Sequence, residues 1–300
     1  MLSLFRKHPR AFGVAMILIA TLFIAVADAL AKWLAASYST PQIAFMRSVT
    51  GLFYVSVFIL LWGRFGELRT RHPWLHVTRA ILVTFILLGV FYSLGQIPMV
   101  EVEAIGHAAP VFVALLAPWT LREKVSGHNW LAIGLGSIGV LIMLRPDPDH
   151  FHIAHVIMLA SAAGYAAIIM LARTLSGRDT VLAITFFLYS LSALLTGLLT
   201  IGHWQTPAPL HFFGFALQGL VATIATLFYI AGLKHVEATL TATLDYVTLI
   251  WVAGLGIFFW GEVPDLLTLT GIVFIVGSGI YIVRHSSRRI DESIVQTPDH

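Results

Sequence analysis

The chain has no cysteine. Disulfides, thiolate nucleophiles and cysteine-ligated zinc are therefore excluded. Charge is scarce too, at 11% of 300 residues, against roughly 25% in soluble proteins. There is no Gly-x-x-x-x-Gly-Lys-Ser/Thr loop, so this chain alone does not drive a process with ATP. Gly-x-Ser-x-Gly and His-Glu-x-x-His are missing as well, which removes two common hydrolase sites. No soluble domain fits in the short polar intervals.

What the chain has is apolar sequence, 58% of its residues. A soluble protein of this composition could not cover its surface. The apolar residues fall in ten runs, near 11–34, 41–62, 75–96, 101–120, 130–144, 153–172, 181–201, 210–233, 238–259 and 266–284. Most reach the roughly 17 residues that cross a bilayer as a helix. The runs are continuous rather than alternating, which argues against a β-barrel. The expected class is an all-α polytopic membrane protein. After Arg284 the chain turns polar, and a disordered tail is expected over 285–300.

The two halves resemble each other at an offset of 139 residues. Thr84, Leu88, Leu94, Val113, Leu116, Glu123 and Arg145 fall on Thr223, Leu227, Leu233, Val252, Leu255, Glu262 and Arg284. Each half, 11–145 and 152–284, holds five runs. Because five is odd, the copies would enter the membrane from opposite sides. Inverted repeats of this kind place a site at the midplane and open it alternately to each face. With the N-terminus in the cytoplasm, fifteen Lys and Arg outside or at the ends of the runs fall on the inner side. Arg145 alone falls outside, so both termini are expected to be cytoplasmic. The high pI then reflects topology, and no nucleic-acid partner is implied. A competing reading takes Arg6 to Ala27, ending Ala25-Val26-Ala27, as a cleaved signal peptide. That leaves nine spans and breaks the repeat.

Ionisable residues inside spans are functional candidates by default. Asp28 and Lys32 are four residues apart on the first run and can pair. Arg47 lies near the same end of the second. Asp28 and Arg47 are candidates for contacting a solute. The competing reading is a structural Asp28–Lys32–Arg47 network. In the fourth run, Pro110 leaves the Gly106 carbonyl without its helix donor, beside the titratable His107. The offset carries Gly106 and His107 onto Asp245 and Tyr246 of the ninth. Asp245 is the most isolated carboxylate. Proton uptake relieves the cost of withdrawing such a group from water, so Asp245 and His107 are the proton-coupling candidates. The competing reading satisfies both within the bundle. Tyr92, Tyr246 and Trp251 are the aromatic candidates for a solute pocket. Glu101 and Glu103 are expected to face outer water. Glu123 and Glu262 close matched spans as turn residues.

Asp147, Asp149, His150, His152 and His155 crowd one loop, but their spacing fits no ligand set, and no metal is expected. Gly134, Gly136, Gly139, Gly271 and Gly277 permit close helix contact, either inside the fold or across a homodimer face.

Two five-helix halves, each ending in an apolar stretch, a glutamate, a short turn and a glycine-rich helix, resemble the EamA-type ten-helix permeases of the drug/metabolite transporter superfamily. The residues carrying this are His107-Ala-Ala-Pro110 through Leu121-Arg122-Glu123-Lys124, Tyr246 through Glu262-Val263-Pro264, and Arg47 in Ala44-Phe45-Met46-Arg47. Asp28-Ala-Leu-Ala-Lys32-Trp33-Leu34 and Val236-Glu237-Ala238-Thr239 look like a branch with S-adenosylmethionine and riboflavin uptake carriers. The resemblance implies a non-enzymatic, cofactor-free secondary carrier of a small organic solute in the bacterial inner membrane. It also implies a central cavity between the halves. Export of amino acids or drugs is the alternative within this class. A lipid-processing membrane enzyme is the alternative outside it.

Overall fold

The computed structural model describes residues 9–70, 72–109, 111–112, 127–144, 152–175, 180–233, 235–236 and 244–295. Those residues form ten α-helices, one short 3-10 turn and no strand. The helices are α1 Pro9–Ala35, α2 Thr40–Trp62, α3 Pro73–Leu94, α4 Met99–Gly106 and α5 Gly127–Leu144. They continue with α6 Ile153–Leu175, α7 Val181–Thr200, α8 Pro209–Leu233, α9 Val247–Trp260 and α10 Leu266–Val295. Five stretches are long and apolar enough to cross a membrane: Ala11–Ala35, Thr40–Trp62, Pro73–Leu94, Leu182–Thr200 and Pro209–Tyr229.

Local chemistry sets several ends. Pro73 opens α3, where a missing N–H costs nothing. Gly63 and Gly261 close α2 and α9 in the left-handed conformation, at φ 62° and 66°. Only glycine adopts that without strain. Past Gly261, the Glu262 amide reaches back to the Gly256 carbonyl at 3.1 Å. That bond folds the Glu262 side chain over the end of its own helix.

Two elements depart from the expectation. The fourth helix stops at Gly106, and His107 and Ala108 form a turn. The tenth helix runs past Arg284 to Val295. No glycine or proline interrupts 285–295, so the polar segment continues the helix instead of leaving it.

The helices pack as a set of pairs. α1 lies on α8 and α3 on α6, while α2 packs on α7 and α5 on α10. α2 also meets α8, α3 meets α7, α1 meets α9, α4 meets α6, and α4 meets α9. Exchanging α1–α5 with α6–α10 turns this set of pairings into itself. Glycines bring the helices close. A Cβ at Gly139 would lie 2.9 Å from the Gly271 carbonyl, and one at Gly136 would lie 2.9 Å from Ser278 Oγ. Gly136, Gly139 and Gly271 therefore serve a contact inside the fold, whereas Gly134 and Gly277 have open space around them. The main core gathers Leu34, Ile43, Phe91, Leu94, Met99, Ile105, Phe215 and Ile275 around the short α4.

Candidate functional site

The site is built where two helices are interrupted. α4 ends at Gly106–His107, and α9 begins after a turn at Tyr246 that follows Asp245. These are the positions matched by the 139-residue offset. In space the two interruptions touch. The His107 ring lies 4.9 Å from the Tyr246 ring, tilted by 33°. His107 Nε2 is 3.2 Å from the Asp245 carbonyl, and Nδ1 is 2.8 Å from the Glu103 carbonyl. The Glu103 carboxylate is 3.6 Å from Nδ1. A neutral imidazole donates from one nitrogen only, whereas an imidazolium donates from both. This seat of two carbonyls and a carboxylate offers an acceptor to each ring nitrogen of His107.

Carboxylates surround that point. Asp245 Oδ2 accepts from the Tyr229 hydroxyl at 2.8 Å. His107 also acts on Asp245 electrostatically. Glu103 is in electrostatic contact with Asp245, and Asp28 with Glu103 and Arg47. Arg47 in turn lies over the Phe91 ring, 5.9 Å from its centroid. Asp28 on α1, Glu103 on α4 and Asp245 before α9 thus lie within electrostatic reach, Asp28 of Glu103 and Glu103 of Asp245.

The α6 face beside them is not packed along its whole length. On α6, Ala154, Met158, Ser161 and Tyr165 lie on one face by their spacing. The first three are buried, yet Tyr165 is 45% exposed. Asp245 and Glu103 act on its hydroxyl electrostatically, which places the tyrosine on the side of α6 that faces the cluster. The face is packed at its α6 N-terminal end and open further along.

The packed end carries two polar locks. Lys32 Nζ sits 2.7 Å from Glu262 Oε1 and donates to the carbonyls of Leu94 and Ile97 at 3.0 and 2.9 Å. The other Glu262 oxygen accepts the Met99 amide at 3.0 Å. Met99 opens α4, so the carboxylate caps an otherwise unpaired helix amide. Beside it, His155 Nε2 is 2.9 Å from Glu101 Oε2, and Thr268 donates to Glu101 Oε1 at 3.2 Å. Both locks join helices of the first half to helices of the second.

The expected residues divide accordingly. Asp28, Arg47, His107, Asp245 and Tyr246 come together. Lys32 pairs with Glu262 in place of Asp28, because α1 packs on α9 and brings that carboxylate to it. Tyr92 packs against the main core. Trp251 is 37% exposed on the stripe of Gly254 and Phe258 and is not brought to the cluster. Pro110 and Glu123 lie outside the described residues, as do Asp147, Asp149 and His150. Glu101 and Glu103 both turn inward, where outer water was expected. Tyr165, Tyr229 and Glu103 join the site from the structure. The sequence offered the two tyrosines as aromatics able to line a pocket and Glu103 as a lesser candidate, without preferring any of them.

A model of the EamA-like transporter family matches the chain twice, over residues 11–145 and 152–284. The chain belongs to the EamA-like transporter family. It is similar to the S-adenosylmethionine uptake transporter of Rickettsia prowazekii, at 23% identity over 90% of this chain and 92% of that one. It is also similar to the pseudopaline exporter of Pseudomonas aeruginosa, at 29% identity over 91% and 96%. A riboflavin transporter of Rhizobium johnstonii is 26% identical over 75% and 74%. A crystal structure sharing 18% identity superposes with a TM-score of 0.60 over 93% of this chain and 97% of that one, which shows the fold. This EamA-like protein is a small-molecule transporter and not an enzyme, with several helices passing through the inner membrane.

Proposed function

We propose that this transporter is a secondary carrier of a small organic solute, working by alternating access and coupled to protons or to exchange. The observation that carries the reading is the meeting of two interrupted helices, with His107 and Asp245 in contact and Asp28 and Glu103 beside them. Broken helices facing each other at mid-membrane are how many carriers build a solute site. The helix pairings, which survive exchange of the two halves, support an inverted repeat of five plus five helices over 11–145 and 152–284. The positive-inside bias supports cytoplasmic termini. In that orientation the Lys32–Glu262 end faces outward and is closed, and the less packed face at Tyr165 lies toward the cytoplasm.

In this scheme Asp245 and His107 carry the coupling proton. Asp28, Arg47, Tyr92 and Tyr246 meet the solute, and Trp251 joins them only if its face turns inward during the cycle. Lys32, Glu262, Pro110 and Glu123 hold the frame. Uptake of an S-adenosylmethionine-like or riboflavin-like solute is favoured over export on the Asp28–Leu34 and Val236–Thr239 segments, which resemble uptake carriers, since the uptake and export relatives cover the chain about equally. The P. aeruginosa relative keeps export open as the second reading. The test is purified protein in liposomes with an imposed proton gradient of either sign and a metabolite panel. Accumulation under one sign supports the scheme. Failure to move any solute under either gradient rejects it.

A further inference from the structure

α3 carries a cation that the carboxylate cluster leaves unused. Arg79 lies six residues into a membrane-length helix. Its Nε is buried and has no hydrogen-bond partner among the described residues. A guanidinium keeps its charge, so its free N–H groups call for an anion or water rather than for neutralisation. Lipid is not what it faces. The outward stripe of α3 is Trp74, Thr78, Ile81 and Phe85, all exposed. Arg79 lies on a different stripe with Val83, Ile86 and Val90, none of them fully exposed. Ile86 on that stripe packs toward Gly164, the neighbour of Tyr165. Tyr165 in turn acts on Arg79 electrostatically. The guanidinium is thus placed on the Tyr165 side of the α3–α6 contact, away from the Lys32–Glu262 lock.

We infer that Arg79 is a solute-binding residue that receives an oxyanion, carboxylate or phosphate, beside Tyr165. The solute then carries an acidic group that Arg79 holds while the rest of the molecule reaches the Asp28–Glu103–Asp245 cluster. The planar fork of arginine suits such a group, binding two oxygens at once. This rests on the central cavity between the halves being the transport route.

The cysteine-free chain allows a direct test. Tyr165→Cys places one thiol on the α6 face. In liposomes of zwitterionic lipid, its reaction rates with an anionic (sulfonatoethyl) and a cationic (trimethylammoniumethyl) methanethiosulfonate are compared. Arg79→Gln should lower the anionic-to-cationic rate ratio about fivefold or more, the order expected for losing one nearby charge. Arg79→Lys should keep most of it. On the Tyr165→Cys chain alone, phosphate or acetate should slow labelling by the anionic reagent more than chloride at equal ionic strength. Equal protection by chloride, or a ratio unmoved by Arg79→Gln, overturns the inference. So does a ratio that changes only when anionic lipid is present, which assigns Arg79 to a headgroup. None of these readouts requires transport, so a failure to move solute counts against the carrier reading alone.

Discussion

Lys32 and Glu262 lie 230 residues apart and meet at 2.7 Å, with side chains only 10% and 17% exposed. The ammonium has two carbonyl acceptors besides, and the carboxylate also caps Met99. A buried pair satisfied on all sides is costly to break on one side and cheap to replace as a unit.

Glu262→Gln or Lys32→Met should therefore destabilise the protein by about 2–4 kcal/mol, each leaving an unmatched charge. The Lys32→Met/Glu262→Met pair should recover part of that loss. Thermal unfolding in detergent checks both. If the pair also holds the outer end shut, the single variants should bind solute more readily from outside.

At the second lock, Glu101 and His155 are both buried and 2.9 Å apart. His155→Ala should cost about 2–4 kcal/mol, since Glu101 keeps only its remaining partners. A double-mutant cycle with Glu101→Gln should show coupling well above 0.5 kcal/mol, about the limit for independent sites. Additive losses would remove His155 from the lock.

For coupling, Asp245→Asn should abolish gradient-driven accumulation and spare solute exchange. Tyr229→Phe removes the 2.8 Å bond to Asp245 and should weaken accumulation with less effect on exchange. If Asp245→Asn accumulates normally, the proton is carried elsewhere, and His107→Gln becomes the variant to test.

Packing gives an independent prediction. A Cβ at Gly219 would strike Thr50 and lie 3.0 Å from the Gly51 amide. Gly219→Ala should cost about 1–3 kcal/mol by overpacking the α2–α8 contact. Gly254 has open space around it, and Gly254→Ala should be neutral or slightly stabilising. Comparable melting temperatures for the two variants would mean the α2–α8 distance is wrong.

Parts of this site were legible from spacing alone. The 139-residue offset placed Gly106–His107 over Asp245–Tyr246, and the structure brings those two breaks into contact. Pro110 marked the region of the first break. Glu103 was not legible. Its helix is eight residues long, too short for periodicity to say which side faces water. Lys32 was misdirected toward Asp28 because four-residue spacing is the only pairing visible along one helix. Its actual partner lies in the turn that follows α9.

By itself the sequence determined a membrane-embedded helical bundle, its approximate spans and the few charges inside them. Those follow from composition along the chain, since the bilayer tests each segment against its own hydrophobicity. Tertiary structure decided which charges meet. Lys32 and Glu262, Glu101 and His155, and His107 and Asp245 are each pairs of residues remote in sequence. In lipid, a buried charge has no water to turn to. Its partner is whichever group the packing of helices carries to it, and that choice is made across the bundle.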